Sequence, residues 1–196
     1  PDPRIFHAAA SALGVAPHSL RAATPAGLRM AEALAPQAPI HIHVAEQMAE
    51  VAEVQAATGL RPVQWLLENH QMSDRWCLIH ATQMEPAETE AMAKTGAIAG
   101  LCPITEANLG DGIFDGPRFR AAGGQFGVGS DSNVRISLSE ELRLLEYSQR
   151  LGLRGRALLA DVGRSTGRVL YEEACQGGAK AAGRASGAIA VGLWGD

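Results

Sequence analysis

At 196 residues, 46% of them hydrophobic and 19% charged, the chain can bury one real core and is read as one domain or a large piece of one. With 17 Lys plus Arg against 21 Asp plus Glu, the net charge of −4 leaves no basic stripe to track a phosphate backbone, which excludes nucleic acid as an expected partner. No run approaches the roughly 20 apolar residues of a bilayer span, no signal-peptide pattern opens the chain, and Cys77, Cys102 and Cys175 form no CxxC pair, so no membrane partner and a reducing cytoplasm are expected.

Taken in chain order, short β-rich runs alternate with helical patterns, the signature of βαβ units and a parallel sheet. "FHAAASAL" predicts a helix before a short run at Gly14–His18, and "TPAGLRMAEAL" a helix capped by Thr24 with Pro25 in its first turn. The strand "APIHIHVAE" follows, then the helix "MAEVAEVQAATG" ending on Gly59, a second short helix "PVQWLLENH" and the strand "RWCLIH". "EPAETEAMAKTG" predicts an acidic-started helix ending at Gly96, ahead of the strand "AIAGLC". A long loop, "PITEANLGDGIFDG", then leads through a short helix to the strand "GQFGVGSD"; loops of that length in compact domains carry function. Helices at "LSEELRLLEYSQRL" and "TGRVLYEEACQ" precede a strand-like run, "GAIAVGLWGD". Both ends read as cut, since the chain opens on Pro1 without an initiator Met and closes on a run that wants a pairing partner.

Polar residues at strand ends carry the chemistry. In a (β/α)₈ barrel the active site lies at the C-terminal ends of the strands. His18, His43, His80 and Asp131 stand 25, 37 and 51 residues apart, the last interval holding two units, against roughly 31 residues per unit in a barrel of about 250. They are expected at one mouth. Imidazole nitrogen and carboxylate oxygen are natural zinc ligands, and a catalytic zinc keeps an open position for water. Strand alternation would send His43 and Glu46 to opposite faces, so Glu46 must lie past the strand, where an acid–base group can reach substrate. His80, closing "CLIHAT", can hydrogen-bond the attacking oxygen or the developing charge. The alternative reading of Asp131 is a helix N-cap, a common role for Asp after a strand. The pair in "HIH" cannot be a first barrel strand, because Asp131 follows His43 by only 88 residues where about 200 would be needed; His41 is assigned to packing or indirect support. His7 and His70 receive no role.

"HVAEQ" at 43–47, "LIHATQ" at 78–83, "TEANLGDGIF" at 105–114, "GVGSDSNV" at 127–134 and "EELRLLEYSQRL" at 140–151 together resemble the amidohydrolase superfamily, and within it the formimidoylglutamate deiminases of histidine degradation. The likeness runs from about Pro17 to Asp196, and "APHSLRAATP" with "TEANLGDGIF" is more specific than the histidines. It implies a partial TIM-like (β/α)₈ barrel, about strands 4 to 8, over residues 1–182, and the start of a small β-sandwich domain over 183–196. It also implies His43 and Asp131 as ligands of one zinc, with iron or another divalent metal as alternatives. Glu46 is then the proton shuttle, and His80 contacts the attacking water and the substrate. His18 and Arg21 hold the glutamate part of a small dicarboxylate substrate, and the loop at Asn108 shapes the pocket. An Arg fork beside a His donor suits a carboxylate, although Arg21 could simply neutralise a surface acid. The implied reaction is hydrolysis of N-formimino-L-glutamate to N-formyl-L-glutamate and ammonia, by a full-length homodimer.

The resemblance departs at one point: the first-strand HxH pair, which supplies two further metal ligands in the family, is absent from this sequence. The chain is therefore expected to be the C-terminal part of a barrel, with the isolated piece binding zinc poorly and inactive. Two other readings are open. One is a related amidohydrolase acting on a purine, pyrimidine or triazine, and the other is a non-catalytic remnant.

Overall fold

A computed structural model describes residues 13–133 and 135–194. The expected helix "FHAAASAL" and His7 lie outside the described residues. Four parallel strands, β1 (Ile40–Val44), β2 (Trp76–His80), β3 (Ile98–Leu101) and β4 (Gln125–Val128), pair in sequence order. Parallel bridges from Val15 to Ile40 and from Ser19 to His43 add the 14–18 run beside β1, giving five neighbouring segments of a curved wall. Every connection is helical, as parallel strands require: α1 (Pro25–Leu34) before β1, α2 (Met48–Thr58) and α3 (Pro62–Asn69) before β2, and α4 (Pro86–Thr95) before β3. Next come α5 (Pro103–Leu109) and α6 (Gly116–Ala121) before β4, then α7 (Leu138–Leu153) and α8 (Thr166–Ala181).

Local chemistry sets the boundaries. Thr24 Oγ1 accepts the Gly27 N–H at 3.1 Å, with Pro25 in the first turn of α1. Gly59 and Gly96 end α2 and α4 at φ 79° and 82°, a conformation that costs glycine nothing. Glu85 and Glu88 close a capping box on α4.

Two stretches differ from expectation. The supposed loop after β3 contains α5: Pro103 occupies its first turn, the Glu106 carboxylate takes the otherwise orphaned Cys102 N–H at 2.8 Å, and Gly110 stops it at φ 72°. Residues 183–194, read as strand-like and as the entry to a β-sandwich, form turns rather than a strand; an isolated strand has no ladder partner here, and Trp194 instead donates its backbone N–H to Ala185 O at 2.8 Å.

The two sheet faces have different tasks. Ile40, Ile42 and Val44 point outward into the main core with Trp76, Leu78, Ala99 and Phe126, all 2% exposed or less. The opposite face carries His41, His43, Cys77 and Ile79 in register. The last turns of α8 floor its lower half, where Cys77, Ile98 and Ala181 pack together and His41 Nε2 donates to Ala181 O at 2.7 Å. His41 is thus a packing residue, tied to a helix C-terminus. His70 is likewise structural, buried between Trp65 and Trp76 with ring centroids 5.5 Å away on either side.

Candidate active site

Above that floor, the strand ends bend sharply. Among the described residues, six that are not glycine have φ between +49° and +68°, and four of them, Ala45, His80, Ala81 and Asp131, sit at the C-terminal ends of β1, β2 and β4. Each such conformation costs on the order of 1–3 kcal/mol and persists only where the surroundings over-determine it.

The bend at Ala45 takes Glu46 off the strand. The buried Glu50 carboxylate holds the bend by accepting the Ala45 and Glu46 N–H groups at 3.1 and 3.0 Å. Thr82 Oγ1, from the neighbouring strand end, donates to Glu46 O at 2.8 Å. Glu46 is thereby presented to His80, with Oε1 3.7 Å from Nε2. Burial pushes the Glu46 carboxyl above the usual carboxylate range, with the charges of Asp111 and Glu50 acting the same way and His80 and His43 opposing.

His80, 1% exposed, is the hub. Its Nδ1 lies 3.2 Å from Glu106 Oε1, and its Nε2 lies 3.7 Å from Glu46 and 3.9 Å from Asp131 Oδ2. Burial works against the charged ring, but the Glu106 hydrogen bond and the charges of Glu46, Glu106 and Asp131 outweigh it and raise its pKa above the ordinary histidine value. His43 stands 5.6 Å from His80 between ring centroids and stacks on His18 at 5.0 Å. A backbone carbonyl can only accept, so the 2.9 Å contact of His43 Nδ1 with His18 O fixes the Nδ1–H tautomer and leaves Nε2 bare.

Asp131 follows β4 on a loop fastened by Asn133, whose Nδ2 donates to Ser130 O and, at 3.2 Å, to Glu141 Oε1. Asp131 caps no helix: α7 begins at Leu138 with Ser137 before it. The Asp131 carboxylate, the His80 ring and the Cys102 thiol offer ligand atoms all within 4.8 Å of one another. Imidazole and carboxylate donors suit a divalent metal ion, whereas burial and the neighbouring carboxylates push the Cys102 thiol well above its ordinary pKa and away from the thiolate form that ligates.

The fold thus brings together four of the expected residues, His43, Glu46, His80 and Asp131, with His18 beside them. Arg21 is half-exposed, 3.9 Å from Glu53, and Asn108 lies exposed on α5. Sequence reasoning missed Glu106 and also Asp111, which is 3% exposed. Asp111 ties three strand-end loops together: Oδ1 accepts from Gln47 Nε2 at 2.9 Å, its carbonyl accepts from Gln83 Nε2, and its N–H donates to Glu106 O at 2.8 Å. Both acids lie in "TEANLGDGIF", so the available signal was the specificity of that motif.

A family model described as the amidohydrolase family matches residues 4–196. The chain is 53% identical over 191 residues to a formimidoylglutamate deiminase of Pseudomonas aeruginosa, covering 95% of this chain and 42% of the relative. Among solved structures it is similar to an amidohydrolase from Brucella melitensis, at 60% identity and TM-score 0.86, over 87% of this chain and 38% of that one. A zinc-bound adenosine deaminase from Xanthomonas campestris matches at 26% identity and TM-score 0.84, over 93% and 42% of the two chains. The chain therefore spans about two fifths of the length of these relatives.

Proposed function

This chain belongs to the amidohydrolase family, and from that premise we propose that it supplies part of the active site of a metal-dependent deaminase converting N-formimino-L-glutamate to N-formyl-L-glutamate and ammonia. The observation that carries the reading is the convergence of Glu46 and Asp131 on His80 Nε2, within 4 Å, beside a His43 whose Nε2 is bare. The similarity to the deiminase supports the substrate. Three free cysteines accord with a cytoplasmic setting, and the full-length protein is proposed to act as a homodimer.

His43 Nε2 and the Asp131 carboxylate are the atoms that would hold zinc, or iron or another divalent ion. When bound, such an ion makes water acidic enough to supply hydroxide near neutral pH. Glu46, with its raised pKa, accepts a proton from the attacking water and delivers it to the imine nitrogen. His80 Nε2 faces the attacking oxygen and steadies the charge that develops at the formimino carbon. Oxygen adds to that carbon, Glu46 then carries the proton of the new hydroxyl to the same nitrogen, and the C–N bond breaks as the C=O bond forms, releasing ammonia. His18 and Arg21 take the carboxylates of the glutamate tail. Arg21 can be recruited cheaply, because its pair with Glu53 is long and solvent-exposed. Asn108 lines the entrance, and residues 183–196 lead toward a small second domain.

The test is a substrate panel on the full-length, metal-loaded protein and its Arg21→Ala variant. N-formimino-L-glutamate should be the preferred substrate, with KM raised about tenfold or more by the substitution and purine turnover unaffected by it. Purine or triazine turnover that exceeds it would overturn the reading.

A further inference from the structure

We propose that Glu106 is a positioning residue for this reaction, accepting the His80 Nδ1–H and so fixing the ring with Nε2 toward the substrate. The inference rests on the deaminase reading and adds a residue to it. One carboxylate oxygen, Glu106 Oε1, receives both the His80 ring at 3.2 Å and the Cys102 N–H at 2.8 Å. A helix cap alone would account for the second contact and not the first. Glu106 is 4% exposed and its main chain is pinned on both sides, by Glu106 N–H to Cys102 O at 2.9 Å and Asp111 N–H to Glu106 O at 2.8 Å. The side chain therefore arrives at His80 pre-set. His80 itself stands at φ 68°, off the regular strand conformation, so its ring leaves the strand at the point where Glu106 meets it. A carboxylate behind an imidazole fixes ring orientation and tautomer, and loss of such a partner in comparable sites lowers function roughly 10- to 100-fold.

The experiment uses the full-length, metal-loaded protein, with its histidines labelled with nitrogen-15 and the His80 signals assigned through His80→Asn. Wild type should show the His80 Nδ1 fully protonated, and Glu106→Ala should show that proton partly lost from Nδ1. In steady-state kinetics Glu106→Gln should lower kcat roughly 10- to 100-fold with KM little changed. Glu106→Asp, one methylene short, should recover part of the loss. A His80 Nδ1 still fully protonated in Glu106→Ala would overturn the proposal, as would an unchanged kcat in Glu106→Gln. If Glu106→Ala fails to fold, the Glu106→Gln kinetics decide. If wild type releases no ammonia from N-formimino-L-glutamate, the deaminase reading falls, while the nitrogen-15 measurement at His80 Nδ1 still judges Glu106.

Discussion

Adjacent glycines near the end of α8 should differ sharply in their tolerance of a single methyl group. A Cβ on Gly177 would stand 1.9 Å from Phe126 O, 2.4 Å from Phe126 C and 3.1 Å from Gly127 N, all backbone atoms of β4. A Cβ on Gly178 would meet nothing within 4 Å. Relieving the first clash requires α8 to back away from the sheet by more than an ångström, because no flexible side chain can yield in its place. That withdrawal would loosen the packing of Cys77 and Ile98 on Ala181 and stretch the 2.7 Å bond from His41 to Ala181 O. Overpacking typically costs 1–3 kcal/mol and a lost hydrogen bond about 1 kcal/mol, so Gly177→Ala should destabilise by about 2–4 kcal/mol. Gly178→Ala, which only removes glycine from a helix interior, should stabilise by about 0.5–1 kcal/mol. Urea denaturation of both variants in the full-length protein measures the difference directly. Equal midpoints for the two would refute the close contact of α8 with β4, and with it the floor beneath His43.

Glu50→Gln replaces the acceptor of the Ala45 and Glu46 N–H groups; it should cost about 1–3 kcal/mol in denaturation midpoint and lower kcat, since Glu46 loses its anchored turn. Burial raises the Glu141 carboxyl above its ordinary 4.5, with the charges of Glu106 and Asp131 adding to it and the Ile104 N–H and Asn133 contacts opposing. The folded protein therefore binds that proton more tightly than the unfolded chain, so the stability it contributes is present below pH about 4.5 and is lost as pH rises through the raised value. In metal-free protein Glu141→Gln should flatten that decline, and an unchanged stability–pH slope would count against it.

Most of the wall was legible in the sequence because its signals are local. Thr24 with Pro25, Gly59 and Gly96 mark helix ends through their own backbone chemistry. The alternation in "IHIHV" separates the histidine face from the core face. Strand-end spacing brought His43, His80 and Asp131 to one mouth, and period-2 reasoning required Glu46 to leave the strand, which the Ala45 bend accomplishes. What escaped depends on long-range contact. Helix α5 is seven residues long, too short for a periodic pattern, and is held by Glu106 accepting from Cys102 and by Glu141 accepting the Ile104 N–H at 2.8 Å. Glu50, Glu106 and Asp111 look like ordinary surface acids in sequence; their burial follows from backbone donors, an imidazole and the Gln47 amide that only the fold places beside them. The 187–194 run is apolar enough to suggest a strand, yet strand formation is decided by a neighbour, not by composition.

The central claim is that His43 and Asp131 hold a catalytic metal for hydrolysis of N-formimino-L-glutamate. The direct measurement is ammonia release by full-length protein stripped with a chelator and then re-supplied with stoichiometric zinc, alongside His43→Asn and Asp131→Asn. Activity should vanish on stripping and return with zinc in wild type alone. Undiminished activity after stripping, or full restoration in either variant, would contradict it.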